Sequence, residues 1–122
     1  MAMRGIRGAT TVTEDKAEEI WSATTEMVDE ILRRNRLSPV DIGALIFTAT
    51  ADLQSAFPAT GARKLPGMNL VPVFDAQQLA VDGSLTKCIR VLALVETELS
   101  SAEISHVYLR NAASLRPDLT SN

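Results

Sequence analysis

Arginines dominate the residues of this chain that could do chemistry. Nine of its twelve cations are Arg, and only Lys16, Lys64 and Lys87 are lysines. The planar guanidinium fork matches the geometry of carboxylates and phosphates, so the bias fits a grip on a small anion. A high-GC genome would give the same bias, and position has to decide between the two. Arg90 stands in Cys88-Ile89-Arg90-Val91-Leu92-Ala93-Leu94-Val95-Glu96. Strand alternation puts it on one face with Cys88, Leu92 and Leu94, while Ile89, Val91, Ala93 and Val95 share the other. A guanidinium beside apolar surface is costly unless an anion meets it. A structural ion pair, a snorkelling side chain and a ligand contact all answer that demand. Arg7 lies between Gly5 and Gly8, where a backbone or ligand can approach closely, though alone it reads first as a surface arginine. Arg63 follows Phe57-Pro58-Ala59 on a short helical piece and reads as solvated. Arg116, before Pro117, reads as a tail residue, and Tyr108 as a half-buried strand tyrosine.

Other kinds of site find little support. His106 is the sole histidine, and no Asp or Glu spacing around it makes a metal cluster. It reads as a strand-edge histidine. No Gly-x-Ser-x-Gly, phosphate-binding loop or dinucleotide fingerprint is present. Cys88 reads as a core residue, with only Arg90 nearby to activate a thiolate. Neither a metal nor a cofactor is expected. Cations without nucleophiles suit a reaction that needs no proton transfer.

The elements that must position these residues follow from periodicity. Met3 to Val12 ends in β-branched residues and predicts a first strand. Thr13 is a good N-cap for an amphipathic helix over residues 14–35, with apolar or small residues at Ala17, Ile20, Trp21, Thr24, Met27, Val28, Ile31 and Leu32. Arg33, Arg34 and Arg36 close it where the helix dipole is negative. Ser38-Pro39-Val40-Asp41 predicts one capped turn. Ala44–Thr50 reads as a strand buried on both faces, and Thr60–Leu65 as a short helix stopped by Pro66-Gly67. Leu70–Phe74 reads as a strand whose Pro72 marks an edge or irregular position. Asp75–Gly83 reads as a loop or short turn, Cys88–Glu96 as the strongest strand, Ser100–Glu103 as a capped turn and His106–Arg110 as a last strand. The sum is an α+β domain, a mixed sheet of about five strands with one long helix. That helix cannot cover the whole sheet, so a self-associated partner is expected on the bare face.

With 122 residues, 46% of them apolar, the chain has the size and composition of one folded domain. The tail from about residue 114 is expected to be mobile. A net charge of −3 argues against nucleic acid or an anionic membrane as partner. One cysteine allows no intrachain disulfide. No apolar stretch reads as a signal peptide or membrane span, so a cytoplasmic location is expected.

Five separated segments carry a resemblance: Arg4-Gly5-Ile6-Arg7-Gly8-Ala9-Thr10-Thr11-Val12, Ser55-Ala56-Phe57-Pro58-Ala59, Val71-Pro72-Val73, Lys87-Cys88-Ile89-Arg90-Val91, and His106-Val107-Tyr108-Leu109 with Leu115-Arg116-Pro117-Asp118-Leu119. Together they closely resemble the AroH class of chorismate mutases, in order from residue 3 to residue 119. The resemblance implies a homotrimer of pseudo-α/β-barrel architecture with active sites at subunit interfaces. It implies an isomerase that takes chorismate to prephenate by a Claisen-type rearrangement, in aromatic amino acid biosynthesis. Arg90 would then stabilise the ether oxygen, and Arg7 and Tyr108 would hold the enolpyruvyl carboxylate. Phe57, Ala59, Val73, Phe74 and Leu115 would shape the cavity, while Arg63 and Arg116 would attract or hold the ring carboxylate.

The cavity also departs from the family pattern. Position 78, usually glutamate, is Gln78; position 75, often small, is Asp75; position 60, often a cation, is Thr60. One expectation is that Asp75 supplies the missing carboxylate beside Arg90 while Gln78 keeps a hydrogen bond. The alternative is altered recognition of the ring hydroxyl, favouring a relative such as isochorismate, or a weakly active or non-catalytic chorismate-binding homologue.

Overall fold

The computed structural model describes residues 1–115 of the chain. Its strands are β1 (Ala2–Thr11), β2 (Ile42–Ala49), β3 (Val73–Gln77), β4 (Cys88–Thr97) and β5 (Val107–Tyr108). Its α-helices are α1 (Ala17–Arg34) and α2 (Pro58–Ala62). One sheet runs in the order β3-β2-β4-β1-β5. β4 is antiparallel to both neighbours, whereas β3 pairs parallel with β2 and β5 pairs parallel with β1. The sheet is therefore mixed, and the architecture is α+β as expected.

One face of the sheet is closed by α1. Ile20, Ala23, Thr24, Met27, Val28, Ile31 and Leu32 form its buried stripe, packed with Ile6, Leu45, Phe47, Ile89, Val91 and Val95. Each such aliphatic or aromatic side chain contributes ~1.5–3 kcal/mol on full burial. Gly8 permits the close approach of α1 to β1: a Cβ there would meet Val91 Cγ1 at 3.0 Å and Ile31 Cδ1 at 3.1 Å. Arg33 and Arg34 pair with Asp29 and Glu30 at the helix end, on the surface where such pairs add little.

Several sequence expectations need correction. Thr13 does not cap α1; its amide and hydroxyl both donate to Glu19 Oε1, and the helix begins after Lys16. The strand expected over 70–74 lies over Val73–Gln77. Residues 68–70 instead form a 3-10 turn, and Pro72, lacking an N–H, only accepts at the ladder's end, from Leu45 N at 3.0 Å. β3 is an edge strand, one of the two readings that Pro72, just before it, left open. The short helix starts at Pro58 rather than residue 60, with proline in its first turn. The last strand keeps only two residues before a 3-10 turn over Arg110–Ser114.

Among the described residues the other face of the sheet carries no α-helix; only the 3-10 turn at Ala112, with Leu85 and Leu115, packs on it, against Ala9 and Tyr108. The pairing aligns Phe74, Ile46, Leu92 and Arg7 in one row across the strands, and Ala76, Thr48, Arg90, Ala9 and Tyr108 in the next. Phe74 is 65% and Leu92 38% exposed. β2 is accordingly buried on its α1 face and only partly on this one, not on both.

Candidate active site

The expected site residues fall into two groups. In the first, Arg7, Gly8, Ala9, Arg90, Val91, Tyr108 and Leu115 line a small pocket of about 140 Å³ at the β4-β1-β5 side of the sheet. Arg90 is half-buried, and its Nε is buried with no hydrogen-bond partner among the described residues. No carboxylate among the described residues forms an ion pair with Arg90 or Arg7. Of the roles open to Arg90, the structural ion pair is thus not formed among the described residues. A buried guanidinium N–H on a residue that lines a pocket with Arg7 and Tyr108 suits an anionic or oxygen acceptor. Burial pushes the Cys88 thiol up from its ordinary range, and the neighbouring Arg90 charge only partly offsets that. Cys88 is a core thiol, not a nucleophile.

Gln78 belongs with this group by register. It lies one residue beyond β3, its amide donating to Ala49 O at 2.9 Å, and continues the face of Phe74 and Ala76 towards that of Arg90. Its Oε1 is also buried without a partner among the described residues.

The second group sits at the β3 edge. Phe57, Pro58 and Asp75 border an open groove of about 750 Å³ that reaches Trp21, Leu53 and Gln77. Phe57 is 70% exposed, Ala59 is buried in α2, Val73 is half-buried and Arg63 is exposed. Within one chain Asp75 does not share the sheet face of Arg90; it borders the groove with Phe57. Asp75 pairs with Phe47, a fully buried residue of the α1 face, and its Oδ1 accepts from Ala59 N at 3.1 Å. Burial raises its carboxyl above the ordinary range, against that hydrogen bond and the Arg63 charge. The strand's period of two sets this: one residue decides the face. Arg116 lies outside the described residues.

The small pocket, with Arg7, Arg90 and Tyr108 beside Ala9 and Leu115, can bind a small organic anion and polarise one oxygen. A family model described as chorismate mutase type I matches residues 3–119. The chain belongs to that family. The AroH chorismate mutase of Thermus thermophilus is 50% identical over 120 residues, covering 98% of each chain. That of Bacillus subtilis (strain 168) is 44% identical, over 98% of this chain and 94% of its own. A solved chorismate mutase from Clostridium thermocellum is 41% identical with a TM-score of 0.88, over 91% of this chain and 98% of that one. Among the described residues, no helix of this chorismate mutase family member is long and apolar enough to cross a membrane.

Two positioning devices of the site escaped the sequence. Asp15, just before α1, accepts from Gln54 N and Ser55 N at 3.0 Å, and Ser55 Oγ donates to Asp15 O at 2.8 Å. This latch fixes the segment leading into Phe57. His106, read as an unremarkable strand-edge residue, accepts at Nδ1 from the Arg7 amide at 2.9 Å. Both contacts span tens of residues and had no local signal.

Proposed function

We propose that this chain rearranges chorismate to prephenate at sites completed by a neighbouring copy, in a cytoplasmic homotrimer. The carrying observation is the buried Nε of Arg90, without a hydrogen-bond partner among the described residues, on a side chain that lines a pocket with Arg7 and Tyr108. The reaction is unimolecular: an ether C–O bond breaks while a C–C bond forms, and no proton or nucleophile takes part. A flexible dianion must be held in its compact diaxial conformer, which is orientation catalysis. As the C–O bond breaks, negative charge grows on the ether oxygen. A fixed donor aimed there binds the transition state more tightly than the ground state. Arg90 takes that role. Arg7 and Tyr108 hold the enolpyruvyl carboxylate, and Arg63 and Arg116 draw in the ring carboxylate.

The pocket of about 140 Å³ supports a site shared between copies. Ligand sites are typically ~300–1,000 Å³, so one wall is missing. Phe57, Ala59, Val73, Phe74, Asp75 and Arg63 cluster at the far edge of the same sheet, separated from Arg90. A ring of copies lays one chain's β3 edge over the next chain's arginine pocket, and its apolar contact covers Phe74 and Leu92. Mixing two inactive variants tests this. Arg90→Ala lacks one half-site and Phe57→Asp the other. Co-refolded, they regain part of the wild-type turnover if the halves belong to different chains, and none if each chain holds a whole site.

One observation favours a second substrate reading. With Asp75 on the opposite face, no carboxylate among the described residues of the same chain pairs with Arg90 in place of the family's glutamate. The buried Oε1 of Gln78 is instead an acceptor suited to a substrate hydroxyl. Isochorismate, whose hydroxyl sits elsewhere on the ring, is the competitor to assay. Faster turnover of isochorismate than of chorismate would reassign the substrate, and tight binding without turnover of either would leave a chorismate-binding homologue.

A further inference from the structure

The pairing of β5 with β1 is a parallel ladder of two residue pairs, Gly8 with Val107 and Ala9 with Tyr108. So short a ladder is weak by itself, yet it sets the spacing between Arg7 and Tyr108. Its lower end is closed by Leu109 N donating to Ala9 O at 2.9 Å. At its upper end the residue opposite Arg7 is His106, by continuation of the register. There a side chain replaces a backbone acceptor: the Arg7 N–H donates to His106 Nδ1 at 2.9 Å. A backbone N–H can only donate, so Nδ1 carries a lone pair and the ring is the neutral tautomer protonated at Nε2.

The segment before His106 is itself anchored. Asn35, 1% exposed at the end of α1, donates from Nδ2 to Ser105 O at 2.9 Å and to Ile31 O at 3.0 Å. Its Oδ1 accepts from Ser105 N at 2.8 Å. This amide clamp fixes the backbone at Ser105, so the imidazole next to it is delivered to β1 from a rigid base. A continuous chain of contacts runs from the core helix through Asn35, Ser105 and His106 to Arg7.

We propose that His106 is a positioning residue for substrate binding, its Nδ1 fixing the β1 backbone at Arg7 in register with Tyr108. The proposal rests on the reading of Arg7 as a carboxylate contact. The Arg7–His106 bond is exposed to solvent, so water can replace it in a variant and the fold survives its loss. The effect belongs in substrate affinity.

Two amide substitutions separate positioning from bulk. The Oδ1 of His106→Asn reaches about where Nδ1 stands, while the Oε1 of His106→Gln reaches about where Nε2 stands. His106→Gln is expected to raise KM by roughly 3- to 10-fold, the worth of about one hydrogen bond, with kcat little changed. His106→Asn is expected to bring KM back towards wild type, and Arg7→Ala to raise it further than either. Equal KM values in the Asn, Gln and wild-type proteins, with KM raised by Arg7→Ala, overturn the positioning role alone. An unchanged KM in Arg7→Ala overturns the Arg7 reading, and the positioning role with it. Long-range ¹H–¹⁵N correlation on the sole histidine of the wild-type protein is an independent check. Nδ1 is expected to be unprotonated and Nε2 protonated; a protonated Nδ1 at neutral pH overturns the proposal.

Discussion

Arg90 and Asp75 lie on opposite faces of the same sheet, Arg90 in a row with Thr48 and Ala9, Asp75 paired with the buried Phe47. Within one chain the carboxylate therefore meets Ala59 N and the Arg63 charge rather than Arg90. Burial raises the Asp75 carboxyl, so the folded state holds its proton to a higher pH than the unfolded chain does. Between the two values the folded state binds more protons, and stability falls as pH rises. Above both, the full penalty applies. Asp75→Asn keeps an oxygen for Ala59 and removes the charge. Its melting temperature is expected to rise at pH 7, with a smaller gain or none at pH 4. Equal shifts at both pH values would contradict this.

Arg90 is expected to cost the fold stability, since its Nε has no partner among the described residues. A buried donor without a partner costs ~1–3 kcal/mol, and an apolar side chain of similar length avoids that. Arg90→Met is expected to unfold at higher urea concentration than wild type while losing turnover. A destabilised Arg90→Met would mean that the guanidinium is satisfied in the folded chain.

The bare face gives a prediction about assembly. Leu92, Ile46 and Phe74 form an apolar row next to Arg90, and a charge there opposes burial against a second copy. Leu92→Glu is expected to sediment as a smaller species than wild type. Its turnover should fall even though Arg90, Arg7 and Tyr108 remain. An unchanged sedimentation coefficient would place the interface elsewhere.

Gly61 holds α2 against α1. A Cβ there would stand 2.7 Å from Trp21 O and 2.9 Å from its Cα, backbone atoms that cannot step aside. Gly61→Ala is expected to destabilise by about 1–3 kcal/mol, read from urea unfolding. Loss of the α2 platform should lower activity as well, because Phe57 and Ala59 ride on it. A neutral Gly61→Ala would show that the two helices separate freely.

Much of this was legible in the sequence wherever a regular period met a strong residue type. The alternation from Cys88 to Val95 gave the face of Arg90, and the apolar stripe from Ile20 to Leu32 gave α1. The bare sheet face followed from one helix and about five strands. What stayed hidden depended on pairing across the chain. The face of Asp75 is one such feature, because strand register, not proximity in sequence, chooses it. Thr13 looked like a cap because its hydroxyl wanted a partner, and it found Glu19 instead of the helix amides. His106 had no local signal, since its partner is 99 residues away.

Loss of chorismate absorbance on adding the purified protein, with Arg90→Ala alongside, tests the central claim most directly. Removing a preorganised electrostatic donor typically lowers kcat by ~10²–10³. The account predicts prompt consumption with prephenate as product, and a loss of at least that size in the variant. No consumption by the wild-type protein, or equal rates in the two, would contradict it.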